Sequence, residues 1–378
     1  MSLAEIRASS LEDWLRDRYF TARIDISSSG VEGYSLGDLR RELDITVEAL
    51  DAVPLRDSPS LGSDELRSAV ADRYGGSASK VMVTHGSTEG IFLALSALVR
   101  PGDEVVVLSP VYASLSAITE AIGARLHVWE LDADDGFRPG LDRLRSLLTP
   151  LTRAVVVNFP HNPTGVSLDR ETFEELVRAV AANGSYLIWD GAFAELAHDR
   201  PALPDPTLTY ERAVSFGTLS KAFGLPGLRV GWCTGSPEVL DRMVRLRDYV
   251  TLNTSPVTEL LATAVLSQAD RIIAPRRAQA LHNRELLGEW VDSHSDLVTW
   301  RRPDGGVAAF PRILGVATTD DICSELADKH GVLVVPGSCF GHPERIRIGF
   351  GGPSGELVAG LDAIASVAAA HSLDRAGR

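Results

Sequence analysis

The chain has 378 residues, 44% of them hydrophobic, and 37 basic against 51 acidic side chains give a net charge of -14. That length and apolar content suit one large domain and a smaller one, each with its own core, and exclude a fibrous or disordered chain. The negative charge repels phosphate backbones and anionic lipid, so neither nucleic acid nor a membrane is expected as a partner.

Met1 to Phe20 carry acids where a secretory leader needs a basic flank and an apolar run, and no later stretch reaches spanning length, so a cytoplasmic location is expected. Residues 1–45 are too few to fold alone and are expected to pack on a small C-terminal domain. Over residues 46–280 short apolar runs alternate with amphipathic segments, which predicts a large α/β domain with helices flanking a mainly parallel sheet. Strands are predicted at 80–84, 105–108, 126–129, 154–157, 186–189 and 230–233, with a helix over 88–98. Further helices are predicted over 236–250, 257–269 and 272–293. Residues 281–378 predict a small α+β domain in the order strand, strand, helix, strand, strand, helix. Its last strand falls at 346–348 and its final Ala-rich helix starts near Gly355. Cys233, Cys323 and Cys339 are scattered and odd in number, so neither a disulfide framework nor a zinc site is expected.

Turns at the C-terminal ends of strands are where such sheets bind ligands. After the strand at 80–84, Gly86, Ser87 and Thr88 open a helix, and their backbone NH groups and hydroxyls can cradle a phosphate. The same turn also suits ordinary helix capping. Tyr112, just after the next strand, can stack on a planar ring or belong to the core. Residues 158–165 hold two asparagines and two prolines, an irregular, rigid turn that presents Asn162 as a hydrogen-bond donor. Asp190 ends an apolar strand. Burial raises a carboxyl pKa, so an ionised Asp190 needs a cationic partner, which a protonated pyridine nitrogen would supply. Lys221 is one of only three lysines. It sits in a Gly-rich stretch with Thr218, Ser220 and Arg229, the company a Schiff-base lysine requires. Lys80 and Lys329 have no such neighbours and read as surface residues.

In this order, Gly86 to Thr88, Tyr112, Asn162 to Gly165, Asp190, Ser220, Lys221, Arg229 and Arg347 resemble the fold type I, class I/II aminotransferase superfamily over nearly the whole chain. The resemblance implies pyridoxal 5'-phosphate as cofactor, bonded to Lys221. It places Asp190 on the pyridine nitrogen, Asn162 on the ring hydroxyl and Tyr112 against the ring. Ser87, Thr88, Thr218 and Arg229 would hold the phosphate, with Gly86 and Ser220 as further cofactor-binding positions. Arg347 matches the superfamily's clamp for a substrate α-carboxylate, a task suited to a bidentate guanidinium. A homodimer is also implied.

Two positions depart from that pattern. Phe193 stands where aminotransferases usually place a tyrosine that donates to the ring hydroxyl, so one cofactor hydrogen bond is expected to be missing. Asp57 stands where many relatives place a tyrosine that reaches the partner subunit's phosphate, and an acid there would repel it. Residues 26–37 and 189–193 are similar to the capreomycidine synthase family, which converts 3-hydroxyarginine to a cyclic guanidino amino acid in pathways to streptothricin- and viomycin-type antibiotics. This likeness implies a lyase and cyclase. Lys221 removes the Cα proton, the Asp190–pyridinium pair stabilises the charge, the β-hydroxyl leaves, and a guanidine nitrogen closes a six-membered ring at Cβ. A conventional aminotransferase, which needs a 2-oxo acid acceptor, is the alternative. A guanidino substrate requires a carboxylate, and Glu32 and Asp57 are the candidates, in segments that reach the active site in the superfamily. Gly30 is a further substrate-binding position in the same segment as Glu32.

Overall fold

Ala154, Val155, Val156 and Val157 are consecutive and fully buried. A strand reads this way when both of its faces are covered. It belongs to a computed structural model that describes residues 6–376. The strands of its first three hundred residues are β1 (Ile24–Asp25), β2 (Val81–Thr84), β3 (Glu104–Ser109), β4 (Arg125–Glu130), β5 (Thr152–Asn158), β6 (Tyr186–Asp190), β7 (Ala213–Thr218), β8 (Gly231–Thr234) and β9 (Val298–Thr299). Seven of them form one sheet in the order β2-β8-β7-β6-β5-β3-β4. Only β8 runs antiparallel to its neighbours.

The two faces of the sheet bury separate cores. Val155 and Val157 pack with Phe173, Leu176 and Val180 of the helix Arg170–Asn183. Ala154 and Val156 pack with Ile91, Leu95 and Leu98 of the helix Gly86–Leu98. That alternation is the period-2 geometry of a strand. The sheet is the mainly parallel one expected, with one strand more than the sequence predicted. β7 carries Ser215 and Gly217 among its apolar residues, which breaks a strand's usual composition. Gly217 is required there because a Cβ would lie 2.3 Å from the Trp232 ring on β8.

The remaining strands are short: β10 (Ala308–Ala309), β11 (Arg312–Ile313), β12 (Val332–Leu333), β13 (Val335–Pro336) and β14 (Ile346–Gly349). They form a three-stranded antiparallel sheet, β10-β14-β13, and the pairs β9–β11 and β1–β12. The final helix, Ser354–Ala376, packs against them through Leu357, Leu361 and Ile364. The pairing of β1 with β12 draws the N-terminal segment onto this smaller unit.

Helix α1 (Ser10–Arg18) begins with Ser9, whose side chain accepts from the Glu12 NH. Ahead of it, Arg7 bonds to Ser116 at 2.6 Å and Glu120 at 2.8 Å on the helix Ala113–Ile122 of the large unit. Within it, Trp14 Nε1 donates to the Val334 carbonyl of the small unit at 2.8 Å. The helix therefore bridges both units. Among the described residues, no helix is long and apolar enough to cross a membrane.

Leu95 is fully buried between helix and sheet. Leu95→Ala is expected to destabilise the chain by about 2–5 kcal/mol, through lost burial plus the cavity left behind. Urea unfolding measures this, and a loss below about 1 kcal/mol contradicts the packing described.

Candidate active site

β2, β3, β5, β6 and β7 end along one edge of the sheet, and the turns that follow them converge on a cavity of about 490 Å³. Hydrogen-bond register sets the floor. Asn158 at the end of β5 pairs with Asp190 at the end of β6, and its Nδ2 donates to the Asp190 carbonyl at 2.9 Å. Asn158 Oδ1 accepts from the Asn162 NH at 2.8 Å, which fixes the turn carrying Asn162. The Asp190 carboxylate is buried and accepts from the Ala192 NH at 3.1 Å. Burial pushes its pKa up to about 6, against the opposing pull of that hydrogen bond and of the Lys221 cation. It is an acid held in a dry place without an adjacent cation, and therefore demands one.

Lys221 follows β7. Its Nζ donates to Ser29 Oγ at 2.8 Å and lies 5.5 Å from the centre of the Phe193 ring. Burial lowers its pKa to about 8, helped by the Arg347 charge and opposed by Asp190 and Glu12. An amine so placed is neutral far more often than an ordinary lysine, and the neutral form is the nucleophile and the base. Arg347, on β14, is also buried, and burial brings its pKa down to about 10. One of its nitrogens donates to Asn162 Oδ1 at 3.1 Å and another to the Ser27 carbonyl at 2.8 Å, whereas its Nε has no partner.

At another side of the cavity, the N-terminus of the helix Gly86–Leu98 meets Arg229. Gly86 has φ +71°, and a Cβ there would lie 2.7 Å from an Arg229 guanidinium nitrogen, so only glycine admits the cation this close. Arg229 itself adopts φ +51° and bonds to Ser220 Oγ at 3.4 Å and the Pro226 carbonyl at 2.9 Å. Thr218 Oγ1 accepts from the Ser220 NH at 3.1 Å. Helix N-terminus, Ser87, Thr88, Ser220 and Arg229 together make an anion cradle. Cradle, buried acid and poised amine are the three features that pyridoxal 5'-phosphate requires for its phosphate, ring nitrogen and aldehyde, so the residues present fit that group.

The structure thus brings Gly30, Ser87, Thr88, Tyr112, Asn162, Asp190, Phe193, Thr218, Ser220, Lys221, Arg229 and Arg347 to one cavity, with Gly86 shaping its wall. It does not bring Glu32 there. That carboxylate is 3.0 Å from Arg276 and accepts from Gln279 at 2.9 Å, so its charge is already matched outside the cavity. Asp57 lines a separate open groove and accepts from Asn253 at 3.4 Å. Sequence reasoning assigned no role to Glu12, Ser27, Ser29 or Asn158, all of which line the cavity. The Ser27 to Ser29 run before Gly30 was a usable signal for two of them. Glu12 had none, because the group it meets, the Tyr112 hydroxyl at 3.0 Å, is a hundred residues away.

The profile of the aminotransferase class I and II family matches residues 44–364. The chain is 49% identical to the capreomycidine synthase of Streptomyces vinaceus, over 97% of this chain and 95% of that protein. It is 31% identical to an arginine–pyruvate transaminase of Pseudomonas aeruginosa, over 76% of each. Among solved structures, the PLP-dependent cyclase OrfR superposes with a TM-score of 0.92 at 43% identity, covering 97% of this chain and 98% of that one.

In cofactor-free protein, Asp190 keeps a proton up to about pH 6 that the unfolded chain releases near 3.8. The folded state therefore binds more protons between those values, and this group makes stability fall as pH rises through them. Asp190→Asn is expected to remove that slope and to raise the cofactor-free stability at pH 7 by up to about 3 kcal/mol. Activity of the loaded variant is expected to fall at least about a hundredfold. Denaturant unfolding across pH checks the first effect, and a variant less stable at pH 7 contradicts it.

Proposed function

The chain belongs to the aminotransferase class I and II family, and from that premise we propose that it converts 3-hydroxy-L-arginine to capreomycidine by loss of water and ring closure. The observation that carries this reading is the 49% identity, over nearly the full length of both chains, to a capreomycidine synthase. The solved PLP-dependent cyclase supports it independently. The cofactor is pyridoxal 5'-phosphate, which when bound supplies an electron sink that makes the substrate Cα proton acidic.

The roles of the chain's own residues follow from their places. Asp190 offers the charge that holds a ring nitrogen protonated, and in exchange its own buried carboxylate gains a counter-ion. Arg347, with a free Nε in a dry site, clamps the α-carboxylate and so sets which Cα bond faces Lys221. Lys221 Nζ takes the Cα proton and later returns one to the same carbon. Ser29, 2.8 Å from that nitrogen, keeps it aimed while it is free. Between those two transfers the Cβ–O bond breaks, the hydroxyl leaves as water with one proton, and a terminal guanidine nitrogen that gives up a proton forms the new Cβ–N bond. No nitrogen leaves the substrate, and neither oxidant nor 2-oxo acid is consumed. Intramolecular attack wins because the guanidine is tethered a few atoms from Cβ. Phe193 gives Lys221 an apolar wall where a tyrosine hydroxyl would give it a polar one.

The enzyme works as a cytoplasmic homodimer. Support comes from two loops joined by the Asp57–Asn253 hydrogen bond, which expose Leu55, Tyr249, Val250 and Leu252 together. Apolar side chains gathered so on a surface mark a contact face. Its three free cysteines, two of them buried, suit a reducing compartment.

Incubation of the purified protein with 3-hydroxyarginine and no 2-oxo acid is expected to give a product lighter by one water with every nitrogen retained, read by mass spectrometry. Turnover that starts only after pyruvate or another 2-oxo acid is added would identify an aminotransferase instead. Light scattering on the eluted protein is expected to give twice the chain mass, and a monomer contradicts the assembly.

A further inference from the structure

The charged groups that line the cavity number five: the cations Lys221, Arg229 and Arg347, and the carboxylates Asp190 and Glu12. Four of them have assigned partners. Lys221 bonds the cofactor, Arg229 faces its phosphate, Asp190 faces its ring nitrogen, and Arg347 takes the substrate's α-carboxylate. Glu12 remains. Among the described residues no lysine, arginine or histidine lies within 4.0 Å of it, whereas its chain neighbour Asp13 is paired with Arg16 at 2.9 Å and Glu120 nearby with Arg7 at 2.8 Å.

Its placement is firm. Glu12 lies in the first turn of α1, where the Ser9 side chain accepts from its NH. α1 is tied down through Arg7 on one side and Trp14 on the other. Tyr112 donates its hydroxyl to Glu12 Oε1 at 3.0 Å, which orients the carboxylate, and among the described residues the other oxygen has no protein partner. Glu12, itself exposed to solvent, lines the same cavity as Lys221 and Arg347, the groups proposed to act at the reacting end of an amino acid.

We propose that Glu12 is the specificity-determining carboxylate that binds the substrate's side-chain guanidinium, while Arg347 holds its α-carboxylate. This rests on the guanidino-substrate reading above and replaces Glu32 and Asp57 in that role, since both lie outside the cavity. A planar cation with two parallel NH groups matches a carboxylate. A neutral side chain of the same length would leave the Glu12 charge unmatched.

The experiment uses the cofactor-loaded protein and two amino acids that lack a β-hydroxyl, L-arginine and L-citrulline, the second carrying an uncharged ureido group in place of guanidinium. Binding is followed by the change in cofactor absorbance, for the parent and for Glu12→Gln. The parent is expected to prefer arginine. Glu12→Gln is expected to weaken arginine by about 10- to 100-fold and citrulline by less than about threefold, with cofactor affinity unchanged. Equal weakening of both ligands, or none, overturns the role of Glu12. If that result accompanies a parent that still dehydrates 3-hydroxyarginine, the function stands and only the residue is wrong. A parent that neither prefers arginine nor dehydrates 3-hydroxyarginine overturns the substrate class and this proposal together.

Discussion

A carboxylate at the dry end of a buried strand is the constraint around which the site is built. Asp190 is shielded from water, receives one backbone hydrogen bond and, among the described residues, has no cation within 4.0 Å. Isolated buried charge is costly, and folding tolerates it only when something else gains from it. Here the gain is electrostatic aim. The acid is fixed by the sheet register, so in its proposed role it would meet a protonated ring nitrogen without reorganising. The other parts are arranged around that point: Lys221 on the next strand's turn, Arg229 behind the phosphate cradle, and Arg347 reaching in from the small unit.

Much of this was readable in the chain because it depends on local rules. Valine-rich runs bounded by turns mark strands covered on both faces, and the residues directly after them fall on one edge of a parallel sheet. Asp190, Asn162 and Lys221, which line the cavity, were singled out by that logic. β7 escaped it because Gly217 answers to the Trp232 ring across the sheet, a demand no local pattern reports. Glu32 misled for a related reason. Its segment reaches the cavity through Ser29 and Gly30, but its own carboxylate is captured by Arg276, far off in sequence. Glu12 was invisible because a carboxylate in a helix's first turn is ordinary until the fold sets it against Tyr112.

Phe193 shows how a small chemical change can bear on what an amine does. Its ring sits beside the Lys221 Nζ, so the amine meets a polar partner in Ser29 and an apolar surface opposite. Loss of a polar wall adds to the desolvation that already lowers the amine's pKa to about 8. Cofactor attachment and proton traffic can therefore be tuned separately on one scaffold.

The two-sided anchoring of α1 has a mechanical consequence. The helix has only nine residues and hangs between Ser116 and Glu120 on one unit and Val334 on the other. The mouth it borders cannot widen much without parting one of those bonds. Opening of the cavity on this side is therefore coupled to loss of the Arg7 or the Trp14 bond. An arginine and a tryptophan that do not line the cavity thus hold one of its walls in place.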